Sequence, residues 1–465
     1  MRGRTQAFAT VPRQGAGASP PTGRALTTGS DVDLARHLLA RLEGPDRPIV
    51  FADGSFHQHD GRRWLPLDEN RLRREVHGLD GMAYDENRRV RLNSGRVTGV
   101  VREMAAMASK PDFFHDGPLG VNCVNGFVNF RLGVPFLCPH SPDHRARFVL
   151  PARWEPGCKW RDTPRLGKLL DGCFKDDPDK AERIALVGEI FGAAALGCAT
   201  KIDQPKVIVL YGAGANNGKS QIIDCARGLL PPDAVASISP IKLSEPAMLA
   251  ELAGKHLNTA GELGSGKATF DDLFKSVVTG DAVTARRLYK DPFEFRPRAL
   301  HLYATNGLPP FRGGMDQGVR RRLLLLPLTR VIPADERIDG LAARIAAEEP
   351  EALLAFAIDG AARLMRQGHF TEPSSCKAAL AEWIMAADPV VAWYEARCVY
   401  DPAARTLVRE AYSDFRTWAQ REGFRLDTLP AVNLFAGRIY SHEGRLSCHK
   451  NDADRSISGL RLRSR

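Results

Sequence analysis

Cysteine pairs at CxxC spacing are missing from this chain, so its nine scattered cysteines indicate neither a zinc site nor a disulfide framework. Cys138 and His140 lie close together, but two candidate ligands do not make a tetrahedral site. No apolar run approaches the ~20 residues that a membrane span needs. Acids are missing before Asp31. Residues 1–30 instead contain Pro, Gly, Ser, Thr and Arg. Acid-poor, Arg-containing leaders of that kind include transit peptides. The lack of an amphipathic stripe makes a disordered tail the expectation. Catalytic spacing is also missing from the first third, where His57, His59, His77, His115 and His140 read as surface or structural side chains. These absences lead to the expectation of a reduced, soluble, cytoplasmic chain with no membrane partner.

What is present is ordinary for a globular protein. The chain has 465 residues, 43% apolar and 26% charged, enough for two to four domains with their own cores. Its formal net charge of +10 suits a polyanionic partner, most simply nucleic acid. Ser30 is placed to cap a helix carrying Leu34, Leu38, Leu39 and Leu42 on one face. A strand-rich piece follows from Ile49 to Trp64, then helical patterns at Leu72–Val76 and Val97–Met107. Val121 to Phe136 reads as strand, Asn125-Gly126 turn, strand. Residues 163–200 are helical, with Ile184, Val187, Phe191 and Ala194 on one packing face.

That helical stretch leads into KVIVLYGAGANNGKSQ, Lys206 to Gln221. Val207 to Leu210 make a buried strand, and Ile222, Ile223, Cys225 and Ala226 open a helix. Between them lies a glycine-rich turn: Gly212, Ala213, Gly214, Ala215, Asn216, Asn217, Gly218, Lys219, Ser220, Gln221. Such a turn, between a strand and a helix, fits the phosphate-binding loop template if its first position may be Ala: Ala213, four residues, then Gly218-Lys219-Ser220. The glycines let the backbone approach an anion, and successive N–H groups with the helix N-terminus face it. Lys219 is placed for the β- and γ-phosphates of a nucleotide and the Ser220 hydroxyl for Mg²⁺. A Gly/Asn-rich connector that happens to contain GKS is the bland alternative.

Three signals follow. His256 to Glu262 is a strand ending in an acid, where an ATPase needs a carboxylate to orient water or hold Mg²⁺ through water. Thr279 to Pro297 alternates like a hairpin turning at Lys290-Asp291-Pro292, with Arg286, Arg287, Lys290, Arg296 and Arg298 among aromatics. Cations and rings in that arrangement suit a nucleic-acid backbone and its bases; a solvated basic hairpin has the same composition. Ala299 to Asn306 is a strand ending in Asn, able to sense a γ-phosphate beside the loop. Arg321 and Arg322 precede the buried strand Leu323–Leu326 and could stabilise transition-state charge on a neighbouring subunit's nucleotide; read alone, such a pair is more often a surface cluster. Residues 338–367 are helical with a break at Pro350, and Glu372-Pro373 marks a linker or boundary. The last domain opens near Asp388-Pro389. One helix carries Val408, Tyr412, Phe415 and Ala419, and a second spans Val432 to Tyr440. A tail from Arg438 to Arg465 follows, with seven Arg/Lys against three acids. Helix, turn, helix and basic strands fit a winged helix on DNA, or a small protein-binding domain.

In this order, the loop, Glu262, the basic hairpin, Asn306 and the paired arginines resemble a superfamily 3 helicase of the phage and plasmid type. The similarity is to the helicase parts of satellite-phage primase–helicases and of poxvirus D5-type nucleoside triphosphatases. TGDAVTARRLYKDPFEFRP is similar to that family's hairpin region, ATNGLPP to its sensor motif and DQGVRRRLLLLPL to its arginine segment. Val121 to Gly133 resembles its N-terminal accessory hairpin. The resemblance implies an α/β fold with an AAA+-like P-loop NTPase core, an α+β accessory domain and a C-terminal winged helix. Its boundaries are a tail at 1–30, the accessory domain at 31–162, helical collar and ATPase at 163–372, and winged helix at 373–465. It also implies a replicative, ATP- and Mg²⁺-dependent DNA helicase, acting as a hexameric ring on single-stranded DNA. A separate primase or polymerase would be a partner. In that scheme Glu262 activates water, Lys290 contacts DNA in the channel, and Arg321 or Arg322 is the finger acting in trans.

Three departures from the family pattern stand out. Asn216 or Asn217 is one residue more than the commonest loop, which leaves its register open. Gly261-Glu262 stands where two adjacent acids are usual, so Mg²⁺ depends more on Ser220. Arg320 replaces a frequent aromatic beside the paired arginines. Few residues precede the motor, and no primer synthesis is expected. An ATP-switched DNA-binding initiator or loader would share every motif with a helicase.

Overall fold

In the computed structural model, residues 25–44, 47–261, 263, 272–308, 317–450 and 455–463 are described. They form a mixed α/β protein with a parallel sheet. The chain divides into two compact units. One runs to Phe51 and takes in Phe56–Asp60 and Pro66–Ser109; the other holds Ala52–Ser55, Gly61–Leu65 and Lys110 onward.

The first stretch of chain carries α1 (Asp31–Leu42), β1 (Ile49–Ala52), β2 (Ser55–His59), β3 (Trp64–Pro66), α2 (Glu69–His77), β4 (Ala83–Asp85), β5 (Arg88–Arg89) and α3 (Ser94–Met107). Ser30 caps α1, its hydroxyl accepting from the Asp33 N–H. Leu34, Leu38, Leu72, Val76, Val97, Val100 and Met104 then close a core of their own. Helical spacing put these residues on facing stripes, so burial follows from the pattern.

The second unit opens on an antiparallel meander of β6 (Gly120–Cys123), β7 (Gly126–Arg131) and β8 (Val134–Cys138). Two helices follow, α4 (Leu166–Cys173) and α5 (Lys180–Leu196). After them come β9 (Val207–Tyr211), α6 (Lys219–Gly228), β10 (Val235–Ala236), α7 (Pro246–Ala250), β11 (Leu257–Ala260) and α8 (Asp272–Thr279). The hairpin β12 (Val283–Ala285) and β13 (Phe293–Phe295) precedes β14 (Leu300–Thr305), α9 (Gln317–Arg320) and β15 (Leu323–Pro327). The central sheet has the order β10-β11-β14-β9-β15, every pair parallel. Parallel strands covered on both faces read as unbroken apolar runs, which Val207–Leu210 and Leu323–Leu326 are.

Behind the sheet, α10 (Leu341–Glu348) ends where Pro350 starts α11 (Pro350–Gln367). α5 and α11 cross at small residues: a Cβ on Gly360 would lie 1.8 Å from the Gly188 carbonyl oxygen. Only glycine permits backbones that close. The linker expected at Glu372-Pro373 is followed at once by α12 (Ser374–Ala387), whose Trp383 is buried in the core that holds Val207, Tyr303 and Leu325. Leu380, Trp383, Ile384 and Ala387 sit on one side of a helix, and that face returns the chain to the sheet.

A separate cluster then forms from α13 (Pro389–Arg397), β16 (Cys398–Leu407), α14 (Val408–Arg421), α15 (Val432–His442), β17 (Ser447–Lys450) and β18 (Arg455–Leu462). Its sheet has the order β16-β18-β17. Trp393, Phe415 and Phe435 are its buried centre.

Candidate functional site

β9 is fully buried from Val207 to Leu210 and lies between β14 and β15. Its carboxyl end releases the glycine-rich turn, and α6 begins at Lys219. Gly218 caps that helix at φ +87°, and a Cβ there would lie 2.3 Å from the Cys173 Sγ of α4. The left-handed backbone and the packed thiol both require glycine. Burial pushes the Cys173 pKa up to about 12, so it packs as a neutral thiol.

The two asparagines divide the work of the loop. Asn216 takes a left-handed conformation at φ +58°. Asn217 is buried, and its Nδ2 donates to the Gly214 carbonyl at 2.8 Å. Lys219 is folded onto the same loop. Its Nζ donates to Gly212 O at 2.7 Å, Asn217 Oδ1 at 2.9 Å and Gly214 O at 3.2 Å. Three acceptors satisfy an ammonium's three donors. Burial lowers the lysine's pKa from its ordinary value.

The loop opens onto a cavity of about 990 Å³, lined by Gly214 to Gln221, Asn306, part of α4 and the Ile332–Leu341 segment. Six cationic side chains, Lys219 among them, outnumber three acids in that lining. The balance favours an anion. Ser220 is exposed on the first turn of α6. Gln221 turns partly away, its Oε1 accepting from the Ala342 N–H at 2.8 Å and joining α6 to α10. Asn306 is exposed just beyond the end of β14, the strand beside β9. The structure therefore brings together Lys219, Ser220 and Asn306; Gly212 enters through its carbonyl. Glu262 lies outside the described residues, two positions after the end of β11.

Arg321 and Arg322 are not part of this cavity. They precede β15, whose Leu323 is in register with Val207 at the start of β9. The loop lies at the other end of those strands. Five residues of β9 at ~3.3 Å each separate the two ends by about 16 Å. Arg321 is exposed, while the Arg322 Nη1 donates to Gly318 O at 2.8 Å. Neighbouring Arg320 donates to the His442 Nδ1 at 2.7 Å, and His442 Nε2 pairs with Glu395 at 2.6 Å. That contact ties α9 to α15.

On the β12–β13 hairpin the predicted cations have different surroundings. Arg286 and Lys290 are exposed near the tip. Arg287 is half-buried, stacked over the Phe293 ring at 4.4 Å and donating to Gly54 O at 3.3 Å. Arg298 belongs to the fold, donating to Gly197 O at 2.9 Å and Phe114 O at 2.7 Å.

Two residues that sequence reasoning passed over shape the cavity. Arg330 donates to Gly172 O at 2.7 Å and forks onto Glu336 at 2.9 and 2.8 Å. It thereby clamps α4 to the Ile332–Leu341 segment. Cys173 is the other, set against Gly218. Neither carries a local signal, because their partners are distant in sequence or lie in irregular chain.

Comparison with known proteins adds kinship to this geometry. Residues 35–175 match the family described as D5 N terminal like, and residues 210–322 a family of unknown function, DUF5906. The second match runs from the end of β9 to the end of the arginine pair. A protein of Acanthamoeba polyphaga mimivirus, named "Putative helicase L207/L206", is 33% identical over 246 residues, 50% of this chain. The chain spans 24% of that relative's length. Two solved structures, both of the NrS-1 C terminal region in its apo form, align over most of the chain. One covers 92% of this chain and 99% of its own at 12% identity and a TM-score of 0.45. The other covers 93% and 99% at 11% identity and a TM-score of 0.43. The chain is thus similar to D5-like proteins over residues 35–175 and to a viral protein named as a helicase.

Proposed function

We propose that this chain is an ATP-dependent DNA helicase of the superfamily 3 type, serving replication of a phage, plasmid or other mobile element in the cytoplasm of its host cell. The observation that carries the reading is the convergence of Lys219, Ser220 and Asn306 on one cationic cavity. It lies at the carboxyl ends of β9 and β14, where ligands bind in open parallel sheets. In this reading Gly212 to Gln221 is a P-loop. Its carbonyls now hold Lys219, and a nucleotide's phosphates would replace them as the ammonium's partners. Ser220, with Glu262, would hold Mg²⁺, which would supply positive charge to offset that of the phosphates. Asn306, which lines the same cavity, would meet the terminal phosphate.

Arg321 and Arg322 stand at the opposite end of the strands, so they would serve a neighbouring subunit's nucleotide in a ring, as a hexamer requires. Arg286 and Lys290 would face single-stranded DNA in the channel, and Arg287, stacked on Phe293, would reach it only with its exposed edge. The α14–α15 and β16–β18 cluster would be a winged helix on duplex DNA. A separate primase or polymerase would complete the replication machinery.

The test is an ATPase and strand-displacement assay on forked DNA. Lys219→Ala is expected to lower hydrolysis by about 10²-fold or more while assembly persists. Retained hydrolysis would remove the loop from the chemistry. DNA-stimulated hydrolysis by an assembled ring, without displacement, would favour the initiator or loader reading.

A further inference from the structure

The tip of the β12–β13 hairpin is built at a cost to its own stability. Ala285 pairs with Phe293, and the seven intervening residues include a tight turn closed by the Lys290 N–H onto Arg287 O at 3.2 Å. Tyr289 is the third residue of that turn, at φ +58°. Glycine or asparagine normally fills a left-handed position there. The Arg286 Nε donates to the Lys290 carbonyl at 3.0 Å and braces the loop. Among the described residues nothing packs on the ring in return: Tyr289 is 98% exposed and Leu288 75%. Among the described residues, Tyr289 is the most exposed large hydrophobic side chain. A strained backbone holding an aromatic in water, between two exposed cations, points to a contact outside the chain.

We propose that Tyr289 is a stacking platform for a base of single-stranded nucleic acid, with Arg286 and Lys290 on the flanking phosphates. This rests on the nucleic-acid reading of the hairpin and adds the residue that meets the base. Every base has a π-face, so the contact tolerates any sequence. Single-stranded nucleic acid fits better than a protein surface because the ring is bordered by Arg286 and Lys290, both exposed, and stacking and phosphate contacts alternate along such a strand.

The experiment compares two labelled oligonucleotides of equal length, oligo-dT and an abasic analogue, by fluorescence anisotropy with the full chain at fixed salt. Wild type is expected to bind oligo-dT more tightly than the abasic strand. Tyr289→Ala should weaken oligo-dT binding about ten- to hundred-fold, to the abasic level, and leave abasic binding unchanged. Tyr289→Phe and Tyr289→Trp should retain the preference. Lys290→Ala should weaken both strands alike and flatten the salt dependence. Tyr289→Gly is expected to keep or raise the melting temperature, which separates loss of contact from loss of fold. An unchanged oligo-dT preference in Tyr289→Ala would overturn the platform while the hairpin stays a phosphate contact. A changed sedimentation profile with that preference intact would instead assign the tip to a second copy of the chain. Binding of neither strand by wild type would overturn the nucleic-acid reading and the platform with it.

Discussion

Lys219 is folded back onto its own loop, whose oxygens would, in the proposed reading, give way to a nucleotide's phosphates. Its three partners are oxygens of its own loop, so the ammonium is satisfied before any ligand arrives. The loop is held open by neighbours rather than by its own sequence alone: Asn217 ties back to Gly214, and Cys173 fills the space beside Gly218. Gly218→Ala is expected to disturb both. The left-handed conformation costs about 1–2 kcal/mol for an L side chain, and the new methyl would have to displace the Cys173 sulfur 2.3 Å away. Thermal melts should show a lower midpoint, and a fluorescent nucleotide analogue should bind at least tenfold more weakly. Wild-type binding by that variant would mean that α4 yields freely. The glycines and the lysine were legible in the sequence because the loop is a local motif. The thiol was not, since Cys173 meets Gly218 only through folding.

At the scale of elements, the parallel sheet explains most of what sequence patterns could and could not show. Apolar runs such as Val207–Leu210 announce buried strands, and their order is silent until they pair. That order sets β14 beside β9 and so Asn306 beside the loop, and it sends Arg321 and Arg322 to the far end. α12 was hidden by its flanks: Glu372-Pro373-Ser-Ser reads as a break, yet the helix after it completes the sheet's core through Trp383. Trp383→Ala is therefore expected to destabilise by about 3–5 kcal/mol, read as a lower urea midpoint. A loss under 1 kcal/mol would place α12 outside the core. β16 also went unread, because its ten residues, CVYDPAARTL, carry Asp401-Pro402 in the middle and bridge the bulge with β18.

For the molecule as a whole, two histidines couple folding to pH. His256 is buried with Arg147 and Arg298 nearby, and burial first, then those cations, depress its pKa to about 3. Burial holds His301 down at about 4; its Nδ1 meets the Tyr303 hydroxyl and Asn258. An unfolded imidazole titrates near 6.5, so between these values the unfolded chain binds more protons. Their contribution is therefore complete above about pH 6.5 and is lost as pH falls toward the folded pKa values. Urea midpoints should drop between pH 7.5 and pH 5, with a shallower slope in His256→Gln. An unchanged slope would mean that His256 takes up its proton equally in the folded and unfolded states. A basic chain carrying +10 adds self-repulsion in the same direction.

By itself the sequence determined which segments could hold a phosphate, a strand or a packed helix face, because those properties depend on spacing along a few turns of chain. Tertiary structure decided the rest. It placed Asn306 at the loop and the arginine pair away from it, set Arg287 into the fold beside Phe293, and left Tyr289 in water at the tip. Those outcomes depend on strand order and on contacts between residues far apart in the chain, which no local pattern encodes.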